Sequence, residues 1–129
     1  MKTGSITLSL ALLLVGAGAG VSYGQNQGEG KKLYTNFCSA CHGDTGKGDG
    51  PSGQALPARP ADHTNGAVMN PMNDKFLVDV ITKGGSAVGK SSFMPAWGSS
   101  FNDKQIRDMV AYIRSLAVPP YKPENPAVK

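Results

Sequence analysis

An all-α fold is what this sequence predicts, on three observations. Three segments carry apolar residues at helical spacing, no stretch alternates apolar and polar residues as a half-buried strand would, and the connections are rich in Gly, Pro, Ser and Asn. The first helix is expected from Gly30 to about Ala40, with Leu33, Tyr34 and Phe37 on one side. The second starts from Asn73 as N-cap, sets Phe76, Leu77, Val80 and Ile81 in a stripe, and stops at Gly84 and Gly85. The third starts from Asn102, with Gln105 as the capping-box partner and Phe101 placed to staple against Ile106. Its apolar set is Ile106, Met109, Val110, Ile113 and Leu116, and Pro119 with Pro120 ends it.

Ahead of these helices, Lys2 precedes an apolar stretch from Ile6 to Val15 and a small-residue run from Gly16 to Gly20, the layout of a secretory leader. Cleavage is expected after Gly24, with a second option near Val21 and Ser22. An uncleaved membrane anchor is the alternative, disfavoured by the shortness of the apolar core. No cysteine near the cleavage point offers a lipid site and no arginine pair is present, so export to a periplasm by the general route is expected, with no membrane span in the mature chain. The organisation read from the sequence is therefore a leader over 1–24, one folded domain over 25–118 and a proline-rich tail over 119–129.

The mature chain is roughly 105 residues, a size at which secreted domains often rely on several disulfides. This one has 2 cysteines, three positions apart, and a bridge between them would close too small a loop to stabilise a domain. The connection from Gly43 to about Pro71 is also far longer than ordinary connections. Both features call for a bulky partner inside the fold. The formal charge of +4 loses one unit with Lys2, and the lysines are scattered, so nothing points to nucleic acid.

Cys38-Ser39-Ala40-Cys41-His42 supplies the partner: it is the CxxCH pattern of covalent haem attachment. Two thiols about one helical turn apart can each add to one vinyl group of the porphyrin, and the next residue projects an imidazole at the iron. The other nitrogen of His42 should then donate to a carbonyl in the following loop, where Pro51, Pro57 and Pro60 are equal candidates. Other chemistries fit less well. A thioredoxin-like dithiol requires a strand before the motif and an α/β chain around it. A zinc site would consume every thiol and imidazole of the mature chain, Cys38, Cys41, His42 and the distant His63. With a haem bound, its two propionates bring the net charge to about +1.

The run Gly30-Lys31-Lys32-Leu33-Tyr34, followed by Cys38 to His42, resembles the N-terminal helix of class I cytochromes c, small bacterial soluble monohaem types in particular. Gly43 to Pro51 and Leu56 to Asp62 resemble the same group, as does Phe93-Met94-Pro95-Ala96-Trp97-Gly98. The resemblance covers roughly residues 28–117. It implies three or more helices wrapped around one covalently bound haem c, with the terminal helices crossing where Gly30 and Tyr34 meet Tyr112. It also implies a methionine on the far side of the iron. Met109 lies on the core stripe of the last helix and reads as packing. Met94 matches the ligand loop, and Pro95 holds it extended. Met69 and Met72 remain the alternatives; His63 could in principle serve as a second histidine ligand but, in a polar loop, is expected at the surface. The expected iron ligands are thus His42 and Met94, with Cys38 and Cys41 holding the porphyrin. Tyr34, Phe37, Phe93, Trp97 and Tyr112 are candidate haem walls, and Arg59 or Lys90 a candidate propionate partner. The implied role is an electron carrier rather than an enzyme, meeting redox proteins such as a dehydrogenase, reductase or oxidase in transient complexes. A haem enzyme or gas sensor with a labile sixth ligand and a fixed subunit of a dehydrogenase or oxidase complex are the alternatives.

Overall fold

A computed structural model describes residues 25–123. The expected leader and the end of the tail lie outside the described residues. Six α-helical segments follow in order: α1 Gln27–Phe37, α2 Ser39–His42, α3 Pro51–Gln54, α4 Gly66–Met69, α5 Asp74–Lys83 and α6 Asp103–Leu116, with one 3₁₀ turn at Ser86–Val88 between the last two. Among the described residues the only β pairing is an isolated parallel bridge between Asn65 and Val118. The all-α expectation holds.

Helix α1 starts earlier than its apolar spacing suggests, because Asn26 caps it by accepting from the Gly28 and Glu29 amides. It also ends earlier. The chain breaks at Cys38 (φ −112°, ψ −33°) and re-enters one helical turn, α2, that carries the second thiol and the imidazole. Helix α5 begins at the expected Asn73 cap and stops at Gly84, whose φ of +80° suits glycine. Its Leu77 and Ile81 are buried, while Phe76 and Val80 are half-buried. Helix α6 has the full capping box between Asn102 and Gln105. Phe101, expected to staple, lies with its ring against Phe37 and Trp97, at 5.0 and 5.5 Å between centroids.

The terminal helices cross as expected. A Cβ built on Gly30 would stand 1.9 Å from the carbonyl oxygen of Asp108, so only a glycine lets the two backbones come this close. One turn on, the fully buried Tyr34 meets Tyr112 edge to face at 5.2 Å. Asp108, itself 2% exposed, accepts from the Asn26 amide at 2.8 Å and from Lys104 at 2.7 Å, which fixes the start of α1 on α6.

The long connection is less irregular than its composition suggests. It holds two single helical turns, α3 and α4, and is tied to the body by backbone bonds from Gly48 to His42, from Gly50 to Cys41 and from His63 to Gly46. Its far end is fastened to the chain after α6: Gly66 donates to the Val118 carbonyl and Val118 donates to that of Thr64. Arg114 closes this side. This residue is 8% exposed, and its guanidinium pairs with Asp74 at 2.8 Å and donates to the carbonyls of Met69 and Met72. Its outer face carries the Tyr121 ring 3.7 Å away, so the first residues of the proline-rich tail lie along α6.

Two substitutions test this frame. Gly30→Ala in the haem-loaded protein should lower stability by about 2 kcal/mol or more through overpacking at the crossing, read as a drop in the urea midpoint with an unchanged slope. Arg114→Ala should cost about 3 kcal/mol, because two carbonyls lose their charged donor, and thermal unfolding of the same preparation measures it.

Candidate functional site

The break between α1 and α2 presents the two thiols and the imidazole from one short stretch of chain. Cys38 and Cys41 are both half-buried and unpaired. Burial, aided by the neighbouring Cys41, pushes the Cys38 thiol up to about 11, so it stays protonated at neutral pH. His42 turns its Nδ1 to the carbonyl of Ala61 at 3.2 Å. A carbonyl can only accept, so the proton sits on Nδ1 and the lone pair of Nε2 is left for a metal. Burial lowers the His42 pKa and outweighs the opposing effect of the Ala61 bond, which keeps the ring neutral as a ligand must be. The acceptor is none of the three prolines considered from sequence, but the residue after Pro60.

Met94 is placed by the C-terminal end of α5. Its carbonyl accepts from Gly85 at 2.9 Å, its amide donates to Ser91 at 3.2 Å, and the residues beyond it are tied to the same helix by Trp97 to Ile81 and Gly98 to Thr82. Gly84 and Gly85 allow this: a Cβ on either would lie 3.0 to 3.1 Å from atoms of Met94. The Met94 side chain is half-buried against the core. Met69 is 2% exposed inside the core cluster and Met72 lies partly buried at its edge, both with carbonyls taken by Arg114, while Met109 is fully buried on α6.

The surroundings fit a large flat apolar group. Phe37 and Phe93 are 45% and 54% exposed, an unusual state for phenyl rings beside a thiol pair and a half-buried thioether. Trp97 lies edge-on to Phe37 at 5.7 Å and extends the same aromatic surface. Tyr34 and Tyr112, also considered as haem walls, are buried at the helix crossing. Of the two basic candidates, Lys90 sits 6.0 Å from the Phe76 ring and Arg59 is exposed. Two thiols and one imidazole with its tautomer fixed, presented from one short stretch of chain, match what a covalently held haem requires.

His63 departs from expectation. It is 7% exposed, with its ring stacked on that of His42 at 4.4 Å between centroids and 18° between planes. Its Nδ1 is 3.3 Å from the oxygen of the Tyr34 hydroxyl, whose one proton is donated to the Gly43 carbonyl at 3.3 Å. Burial, and next the neighbouring His42, lowers its pKa to about 3. The expected surface position fails because a polar loop gives no sign that it folds back under α2, and nothing in the spacing along the chain brings His63 to His42.

Comparison with known proteins agrees with this geometry. The family described as cytochrome C oxidase, cbb3-type, subunit III matches residues 25–113. The subunit CcoP of the cbb3-type cytochrome c oxidase of Azospirillum sp. (strain B510) is 32% identical over 92 residues, covering 68% of this chain and 28% of that protein. The corresponding FixP subunit of Bradyrhizobium diazoefficiens is 28% identical, with 68% and 27% covered. This chain thus spans little more than a quarter of the length of those relatives. Among solved structures, the Kuenenia stuttgartiensis reducing HAO-like protein complex Kustc0457/Kustc0458 aligns with a TM-score of 0.59 at 22% identity, over 78% of this chain and 49% of that one. The KustC0563 c-type cytochrome aligns with a TM-score of 0.56 at 20% identity, over 68% and 96%. With the family match spanning most of the chain and the helix crossing, CxxCH turn and aromatic surface all in place, the protein belongs to the cbb3-type subunit III family of class I c-type cytochromes and carries covalently bound haem c.

Proposed function

We propose that this protein is an exported, periplasmic one-electron carrier in which Cys38 and Cys41 form the two thioethers, and His42 and Met94 are the axial ligands of a single haem c. The observation that carries the reading is the His42 ring, whose Nδ1 is engaged by the Ala61 carbonyl while Nε2 keeps a free lone pair directly after the thiol pair. When bound, the haem supplies reversible one-electron chemistry between ferric and ferrous iron.

The chain's own residues do the rest. The α1–α2 break sets the thiols and imidazole in one turn. The ties from Met94 and Trp97 to the end of α5 hold the thioether loop in place, so the sixth ligand is presented by a fixed backbone. A thioether favours ferrous iron and raises the potential relative to a second imidazole. Phe37, Phe93 and Trp97 offer apolar surface that keeps water from the iron and tunes the potential through burial. His42 and Met94 together would hold the iron with side chains of this chain alone, and a redox partner would dock through a small interface that it leaves quickly. Export rests on the leader-like residues 1–24; among the described residues no helix is long and apolar enough to cross a membrane.

A second reading is supported by the relatives: CcoP and FixP are subunits of cbb3-type oxidases, so this chain could serve as a fixed electron-transfer subunit rather than a free shuttle. Size in solution and co-purification from native membranes separate the two.

Reduced and oxidised absorption spectra test the ligand set. The purified protein should show the weak near-infrared sulfur-to-iron band and, when reduced at neutral pH, should not bind carbon monoxide. Met94→Ala should lose the band and gain carbon monoxide binding; a band that survives this change would move the ligand to Met69 or Met72. In Cys38→Ala/Cys41→Ala the haem should come away from the chain on a denaturing gel, whereas the wild-type chain keeps it, and retention in the double variant would refute the thioether assignment.

A further inference from the structure

We propose that His63 is a positioning residue for the His42 imidazole, its stacked ring fixing the plane in which that ligand meets the iron. The inference rests on His42 being the proximal ligand and goes beyond it, because it concerns what determines the orientation of that ligand.

The three-residue stretch Ala61-Asp62-His63 grips His42 at two places. The Ala61 carbonyl takes the ring edge at Nδ1, 3.2 Å away, and the His63 ring lies on the ring face at 4.4 Å and 18°. An edge bond of this length restrains the imidazole but tolerates some tilt, so limited rocking about the Cβ–Cγ axis remains open to it. A flat group against the face removes that freedom, since rotation would drive the ring into its neighbour.

His63 can act as such a stop because it is itself immobilised. Its amide donates to the Gly46 carbonyl at 2.7 Å, its Nδ1 meets the Tyr34 hydroxyl at 3.3 Å, and the Tyr34 ring stands edge-on to it at 5.8 Å and 65°. Tyr34 is in turn fully buried at the α1–α6 crossing. The plane of His42 is therefore referred, through two rings, to the close crossing of α1 and α6. Stacked on His42, the His63 ring would lie on the same side of a bound porphyrin, away from the position a second histidine ligand would need.

Ligand-plane orientation sets the overlap between the imidazole π system and the iron d orbitals, and low-temperature EPR and the proton NMR shifts of the haem methyls of the ferric protein read it directly. The measurement compares haem-loaded wild type with His63→Phe, which keeps a flat ring, and with His63→Ala and His63→Leu, which do not. The near-infrared band, recorded alongside, reports whether the opposite ligand is still bound.

The expected result is that both non-aromatic variants keep the near-infrared band, move the largest g value and change the spread of the methyl shifts, while His63→Phe stays close to wild type. Should Ala fail to fold, the Leu and Phe pair carries the comparison at similar buried volume. Lowered thermal stability with g values and methyl shifts unchanged would overturn the proposal and leave His63 as packing alone. A wild-type protein whose spectra show no histidine on the iron would instead overturn the ligand reading itself, an outcome distinguishable because it appears before any variant is made.

Discussion

Gly30 of α1 and the Asp108 peptide group of α6 approach so closely that a single methyl group would not fit between them, and most of the fold is hung from this contact. Close backbone approach brings Tyr34 and Tyr112 into edge contact and buries the whole inner face of α6. Asp108 reinforces the arrangement because a carboxylate beside the first turn of α1 satisfies the Asn26 amide and lies at the positive end of that helix. Everything that bears on chemistry is measured from here: α1 runs from the crossing straight into Cys38, and α6 is entered through Trp97 and Phe101, which follow Met94. Two segments far apart in sequence are thus held at a fixed separation by a contact that takes no part in the chemistry.

A domain with so few buried apolar residues needs other ties, and they are hydrogen bonds from loops to helix ends. The end of α5 accepts from Trp97 and Gly98, the end of α2 accepts from Gly48 and Gly50, and the chain after α6 exchanges bonds with Thr64 and Gly66. Glycines recur at these points because backbone must lie on backbone: a Cβ on Gly50 or Gly53 would meet the carbonyls of Ala40 or Cys41 within about 2.5 Å. The candidate site is accordingly held by backbone ties, with Cys41 and His42 on the short helix α2 and Met94 in the loop fastened to the end of α5.

Arg114 and His63 illustrate how polar groups serve inside such a core. Arg114 spends its donors on Asp74 and two backbone carbonyls and covers its remaining face with Tyr121, so a buried charge comes with its partners. His63 is neutral and finds the Tyr34 hydroxyl. Both join the long connection to the terminal helices, one on the side of Met69 and Met72 and the other under His42.

Local patterns determined what the sequence alone could determine. The caps at Asn73 and Asn102, the capping box, the apolar stripe of α6 and the CxxCH motif all depend on residues within a turn or two of each other, whereas the close-approach glycine at position 30 is legible from the family resemblance and its missing side chain. The early start of α1 was legible in principle from Asn26, but its break at Cys38 was not, since nothing in the spacing separates a continuing helix from one that restarts. The tertiary structure alone decided the identity of the His42 acceptor, the burial of His63, the folding of the long connection into two short turns and the fastening of the tail to Arg114. Each of these joins groups 19 residues or more apart, or depends on where a glycine-rich loop turns, or on a tail with no apolar pattern. Such choices are made by the space left between helices already packed, and no periodicity along the chain records that space.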